Sequence, residues 1–209
     1  MFDLIRSLPI TKSSIEYSGK IWAIVKQTFV LGEDEITRDF MQHMGAVAVL
    51  ALNEKDEVLT IHQYRHPVGA NLVEIPAGLL DFANESPFEA AKRELREETG
   101  YSASSWAVLC DFCTSPGSSS EAVRIFLARD LHFEGFDASE LDAEESELEP
   151  KWVAISELLS LIAKGQLSSP TAALAITAFK AIPEDQLRSA QAPWPMRENL
   201  IQTQRVFEQ

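Results

Sequence analysis

The hydrophobic positions along the chain change period several times, and each change predicts an element. From Gly19 to Leu31, Ile21, Ala23 and Val25 alternate with Trp22, Ile24 and Lys26, which predicts a strand; Gly32 to Glu35 predicts a turn into another. The run from Gly45 to Leu52 is apolar, short and rich in β-branched residues, so a buried strand is expected in place of a helix. Val58 to Tyr64 and Leu72 to Ile75 are further strands, separated by the breaker Pro67-Val68-Gly69. At Ser86 the period becomes helical. Ser86 and Glu89 form a capping box with Pro87 at the first helical position, which predicts a helix running to Gly100 with Phe88, Ala91 and Leu95 as its apolar stripe. Ala107 to Phe112 and Ala122 to Ala128 then read as strands flanking the loop Thr114 to Ser120. The acidic stretch from Asp137 to Glu149 predicts a solvated loop, and Lys151 to Ile155 a final strand. Helical patterns at Ile155 to Lys164 and Thr171 to Lys180 precede a tail that Pro183, Pro193 and Pro195 mark as irregular. No internal repeat is visible. The order predicts an α/β fold in which helices sandwich a sheet.

Composition narrows what such a fold can do. With 209 residues, 45% of them hydrophobic, the chain can build one substantial core and a single catalytic unit is expected. No stretch approaches the roughly 18 consecutive apolar residues of a membrane span, and Met1 to Leu8 lacks the basic and apolar regions of a secretion signal. A cytoplasmic protein is expected. The formal charge of −14 and pI near 4.7 oppose a nucleic-acid backbone or an anionic membrane as partner. An anionic small molecule must instead be met by local arginines or bound cations. Cys110 and Cys113 have C-x-x-C spacing, but without a second cysteine pair or a suitably spaced histidine pair they are expected to be structural thiols, with a regulatory disulfide as the minor alternative.

The chemistry concentrates on the central helix. Glu94, Glu97 and Glu98 stand at i, i+3 and i+4, so three carboxylates share one face with Cβ atoms about 5–6 Å apart. Their repulsion destabilises the helix unless cations neutralise it. Oxygen-only ligands suit Mg²⁺ or Mn²⁺ better than Zn²⁺. Arg93, four residues before Glu97, is placed to hold one carboxylate, and Glu85 to favour the helix N-terminus or to pair with Arg93.

These residues carry a resemblance. Arg93 to Tyr101 matches the R-E-U-x-E-E-x-G-U half of the Nudix box, where U is apolar or bulky, and Gly78 with Glu85 supplies the upstream half with one additional residue between them. The chain thus resembles the Nudix hydrolases. Glu74-Ile75-Pro76-Ala77-Gly78, Pro116 sixteen residues after Gly100, and the run Ser115 to Glu121 are similar to the ADP-ribose pyrophosphatase subfamily. Gln63 to His66 and the six-residue box spacing resemble its actinobacterial members, and the likeness covers roughly Gly19 to Phe179.

The resemblance implies a Nudix α/β/α sandwich with a mixed sheet, preceded by an N-terminal β-rich segment. It divides the chain into residues 1–41, a dimer-forming β segment, 42–182, the catalytic domain, and 183–209, a tail. Glu94 and Glu98 are implied as direct metal ligands, Glu97 as a further or water-mediated ligand, and the Ala77 carbonyl as another. A loop glutamate, Glu144 with Glu145 as alternative, is implied as the base, and Arg93 and Glu97 as part of the catalytic group. Trp22 offers a face for adenine stacking but is equally suited to a core. Arg38, Arg65, Glu74, Pro116 and Glu121 match substrate-binding positions, Glu121 toward the terminal ribose or a metal. The implied reaction is Mg²⁺-dependent hydrolysis of ADP-ribose to AMP and ribose 5-phosphate, with Mn²⁺ as the alternative metal. The alternatives are another diphosphate substrate (a nucleotide sugar, NADH or a dinucleoside polyphosphate) or a non-catalytic ADP-ribose sensor. The implied assembly is a homodimer with exchanged N-terminal strands.

Overall fold

The structure, a computed structural model, describes residues 3–82, 84–136 and 149–205, with the side chains of residues 204 and 205 left aside. Its strands are β1 (Ile10–Ser18), β2 (Ala23–Leu31), β3 (Asp34–Gln42), β4 (Ala46–Ala51), β5 (Glu57–Arg65), β6 (Ala70–Glu74), β7 (Ala77–Leu79), β8 (Tyr101–Cys113), β9 (Ala122–Phe133), β10 (Lys151–Ala154) and β11 (Arg188–Ser189). Its helices are α1 (Pro87–Thr99), α2 (Ile155–Ala163), α3 (Pro170–Ala181) and α4 (Pro195–Arg205). Three sheets, ordered β1-β2-β3, β10-β5-β6 and β11-β8-β9-β4-β7, and their helices make the fold α/β. The chain divides into two compact units, one comprising residues up to Gly45, Phe112–Val123 and the segment from Pro193, the other Ala46–Asp111 and Arg124–Ala192.

In the second unit the apolar run on β4 does what its composition demands. Val47 to Ala51 are fully buried, which requires cover on both faces, and α1 and α3 both pack against this strand. Leu95 on α1, Ile125 and Phe126 on β9, Leu158 on α2 and Ile176 on α3 are buried as well. Phe88 meets Trp106 edge-on at 5.5 Å and Phe126 at 5.9 Å. The breaker at Pro67 is a short 3-10 turn that Gly69 closes in a left-handed conformation (φ 63°), leading from β5 into β6.

In the first unit β2 pairs antiparallel with β1 and, along its whole length, with β3. Val25 is buried, yet Ile15, Tyr17, Ile21 and Trp22 remain exposed. The backbone at Met41 clasps the loop that follows β8: Met41 N–H donates to the Ser118 carbonyl (2.8 Å) and Ser120 N–H to the Met41 carbonyl (2.9 Å).

Several expectations are corrected. Ile10–Ser18 is a strand although its Thr, Ser, Lys and Glu residues show no clear alternation, because pairing with β2 supplies the order. β8 begins at Tyr101, earlier than the apolar pattern at Ala107, and β9 continues to Phe133; in both the extra residues are largely half-exposed or exposed, so hydrophobicity does not mark them. The tail is not irregular. Pro195 opens α4, where its missing N–H is harmless, and Trp194 just before it is buried. Nor is β10 the last strand, since Arg188–Ser189 pairs with β8. Arg188 donates to Asp111 Oδ2 at 2.9 Å, beside the bidentate grip of buried Arg124 on the same carboxylate (2.7 and 3.0 Å). Residues 137–148 of the expected acidic loop lie outside the described residues.

Cys110 and Cys113 are both free thiols. Three residues apart on one extended strand, their Cα atoms are separated by about 10 Å, beyond disulfide reach. Burial, aided by Asp111 and opposed by Arg188, pushes the Cys110 thiol up to about 11; burial and Asp3 raise Cys113 as well. Alkylation by iodoacetamide at pH 7 should therefore be slow at Cys110 and accelerate as pH climbs toward 11; rapid labelling at neutral pH would contradict this placement. Leu95→Ala should lower unfolding free energy by about 2–5 kcal/mol in chemical denaturation, as expected for a fully buried leucine with limited room to relax.

Candidate functional site

Local sequence fixes both ends of α1. The Ser86 hydroxyl accepts from Glu89 N–H at 3.2 Å, Pro87 occupies the first turn, and Gly100, left-handed at φ 72°, closes the helix with its N–H on the Arg96 carbonyl. Between these caps the i, i+4 spacing turns Glu94 and Glu98 toward β7, where they are 7% and 5% exposed. Carboxylates so deeply placed need partners. Glu98 Oε2 accepts the Ala77 N–H at 2.9 Å. Glu94 lies so close to β7 that a Cβ on Gly78 would sit 2.0 Å from its carboxyl carbon. A side chain at position 78 would displace the Glu94 carboxylate, so glycine matters here by contact and not by backbone angle. β7 is aligned for this by pairing with β4, Val47 opposite Gly78 and Ala48 opposite Ala77.

Arg93 organises the remaining acids. Its Nε and one terminal nitrogen grip Glu85 at 3.0 and 3.1 Å, while the other terminal nitrogen donates to Glu94 Oε1 at 2.7 Å and Glu97 Oε2 at 2.9 Å. The guanidinium also stacks 4.6 Å over Phe82. Burial opposes its charge, but the bonds to Glu85 and the charges and bonds of Glu94 and Glu97 outweigh that, holding its pKa above the ordinary arginine value. Both expected pairings of Arg93, with Glu85 and with Glu97, are present. In the Gly78–Glu85 loop Asn84 turns left-handed (φ 72°), a conformation asparagine tolerates.

The residues present fit a divalent cation. Their donors are all oxygen, two carboxylates are nearly buried, and the glycine at position 78 is what lets Glu94 approach β7. Among the described residues no three acidic, histidine or cysteine side chains already stand in ligand geometry. Arg93 holds one oxygen of Glu94 and one of Glu97, and the Ala77 N–H holds one of Glu98, which leaves lone pairs on each carboxylate for a cation.

In the same unit Arg65 at the end of β5 grips Glu74 at the end of β6 in a bidentate pair of 2.9 and 2.8 Å. In the β5–β6 register Glu74 lies opposite Ile61 and Arg65 opposite Ala70, so the pair is made by the reach of the two side chains and not by direct cross-strand pairing. In the other unit, Trp22 is 38% exposed and leans on Tyr17 at 5.8 Å, so it is not a core tryptophan. Arg38 lies on β3 and donates to the Thr37 carbonyl at 2.8 Å. Pro116 and Glu121 belong to the loop clasped by Met41, and Glu121 faces His43, a residue that no sequence motif had drawn out. Glu144 and Glu145 lie outside the described residues.

Residues 41–173 match the model of the NUDIX domain. The chain belongs to the Nudix hydrolase family. The Nudix chain is 38% identical over 167 residues to an ADP-ribose pyrophosphatase of Mycobacterium tuberculosis, covering 79% of this chain and 80% of that one. It is 36% identical over 168 residues to an ADP-ribose pyrophosphatase of Bacillus subtilis, covering 80% and 89%. A solved ADP compounds hydrolase shares the Nudix fold with a TM-score of 0.69 at 18% identity, over 86% of this chain and 96% of that one. Nudix hydrolases generally act with a divalent metal, in keeping with the oxygen donors on α1. Among the described residues no helix is long and apolar enough to cross a membrane.

Gly78→Ala should weaken Mn²⁺ binding by about 10-fold or more in calorimetric titration while the far-ultraviolet circular dichroism stays unchanged, because the methyl displaces Glu94. Wild-type affinity in this variant would remove Glu94 from the metal face. Arg93→Ala should cost on the order of 3 kcal/mol in denaturant unfolding, since it strips Glu85, Glu94 and Glu97 of their shared cation.

Proposed function

We propose that the protein hydrolyses the diphosphate of ADP-ribose, giving AMP and ribose 5-phosphate, with Mg²⁺ as the physiological metal. The observation that carries this reading is the conjunction of a complete acidic face on α1 with relatives, both named ADP-ribose pyrophosphatases, whose similarity runs over about four-fifths of the chain. Glu94 and Glu98, with the Ala77 carbonyl and Glu97, would hold the cation. When bound, the cation supplies neutralisation of the diphosphate and polarisation of the attacking water.

The chain's own groups do the rest. Arg93 keeps Glu94 and Glu97 oriented toward one another and maintains positive charge beside them. Glu144, with Glu145 as the alternative, takes the proton of the water that attacks one phosphorus; the new P–O bond forms as the bridging P–O bond breaks, and the bridging oxygen leaves with the other phosphate. Arg65, braced by Glu74, supplies a planar cationic fork for a phosphate or ribose. Arg38, Pro116 and Glu121 complete the substrate contacts, and Trp22 supplies an exposed aromatic face for adenine.

The proposed assembly is a homodimer in which the N-terminal strands are exchanged, residues 1–41 serving assembly and 42–182 catalysis. Its support is the exposed apolar set Ile15, Tyr17, Ile21 and Trp22, which a second copy would cover. The proposed compartment is the cytoplasm.

Purified protein incubated with ADP-ribose, a nucleotide sugar, NADH and diadenosine polyphosphate should release AMP chiefly from ADP-ribose, and only with Mg²⁺; chelator should abolish turnover. Glu98→Gln should lower kcat by about 100-fold or more, through loss of a ligand charge. Preferential cleavage of another substrate would reassign the specificity, whereas tight ADP-ribose binding without turnover of anything would point to a sensor. A fully active monomer in sizing experiments would remove the dimer.

A further inference from the structure

Glu121 closes the loop that follows β8, and both of its carboxylate oxygens are engaged. Oε2 accepts the Thr114 hydroxyl at 2.6 Å, and Oε1 lies 3.8 Å from Nε2 of His43, with side-chain exposures of 28% for the acid and 8% for the histidine. That separation is longer than a hydrogen bond, a looseness common before substrate binds.

The His43 ring does not choose its tautomer freely. Gly45 N–H donates to Nδ1 at 3.1 Å, which requires a lone pair there. The neutral ring therefore carries its proton on Nε2, the atom facing Glu121. Gly45 reaches this position through a left-handed backbone (φ 88°), which a side chain would strain. The surrounding backbone is clamped too. His43 N–H donates to Ser120 Oγ at 2.9 Å, Thr114 N–H to the Glu121 carbonyl at 3.2 Å, and Glu121 N–H to Ser119 Oγ at 3.1 Å. A glutamate with several rotatable bonds is thus bordered on one oxygen by a hydroxyl donor and on the other by an N–H donor whose direction is set elsewhere.

We propose that His43 is a positioning residue whose Nε2–H closes onto the Glu121 carboxylate as substrate binds and holds the acid in a single orientation at the ribose end. The inference rests on the reading above that Glu121 contacts substrate. It assigns His43 no contact with the reacting atoms.

The test is a double-mutant cycle in the full-length enzyme, with kcat and KM for ADP-ribose and the melting temperature measured for His43→Ala, Glu121→Gln and the pair. His43→Ala should lower kcat/KM about tenfold. In the Glu121→Gln background the same change should matter less than about twofold, because the group it orients is already lost. His43→Gln, whose amide nitrogen can replace Nε2, should restore most activity; His43→Asn, whose oxygen can replace only the acceptor for Gly45 N–H, should not. If His43→Ala fails to fold, the cycle runs with the Gln and Asn variants.

Additive losses in the cycle, or rescue by Asn and not by Gln, would overturn the inference while leaving Glu121 as a substrate residue. A Glu121→Gln enzyme with unchanged kcat/KM would instead remove Glu121 from the substrate site, and the role of His43 with it.

Discussion

Two glutamates on the inner side of α1 are the constraint to which the neighbouring structure answers. Removing a carboxylate from water costs several kcal/mol unless charge or hydrogen bonds replace the lost hydration. Glu98 is met by the Ala77 N–H and Glu94 by Arg93. Arg93 in turn must be shared, which explains why one guanidinium reaches three acids and rests on Phe82. The strand β7 has to lie against the helix for the Ala77 bond to form, and that approach leaves no space for a side chain at position 78. The glycine and the arginine are thus consequences of one arrangement.

The same arrangement is balanced against its use. Three acids on one arginine, with Glu98 beside them, leave the cluster net negative, which an apolar replacement would avoid; a stable fold alone gives no reason to keep it. An electropositive partner relieves the excess. Arg65 and Glu74 follow a similar logic on a smaller scale. A bidentate pair holds the guanidinium plane in place while the carboxylate offsets its charge.

The unit containing β1, β2 and β3 has a different economy of surface. Its three-stranded sheet buries Val25 but leaves Ile15, Tyr17, Ile21 and Trp22 in solvent. Its order comes largely from backbone pairing and from the clasp between Met41 and the Ser118–Ser120 loop. That clasp also brings His43 to Glu121, two residues separated by 78 positions in the chain.

What sequence alone determined was whatever depends on near neighbours. Helical spacing placed Glu94, Glu97 and Glu98 on one side of α1; Ser86, Pro87 and Gly100 set its ends; continuous apolarity marked β4 as buried. Arg93 with Glu97 was legible for the same reason. Tertiary structure decided the rest, because it depends on strand register and on chain segments far apart. β1 has too little alternation to announce itself, and α4 hides behind prolines that equally well begin a helix. The Arg65–Glu74 pair depends on side chains that reach along the folded β5–β6 hairpin, the exclusion of a side chain at position 78 on the approach of Glu94, and the tautomer of His43 on a turn at Gly45. No periodicity encodes those contacts; they exist only where the folded backbone brings the groups within hydrogen-bond reach.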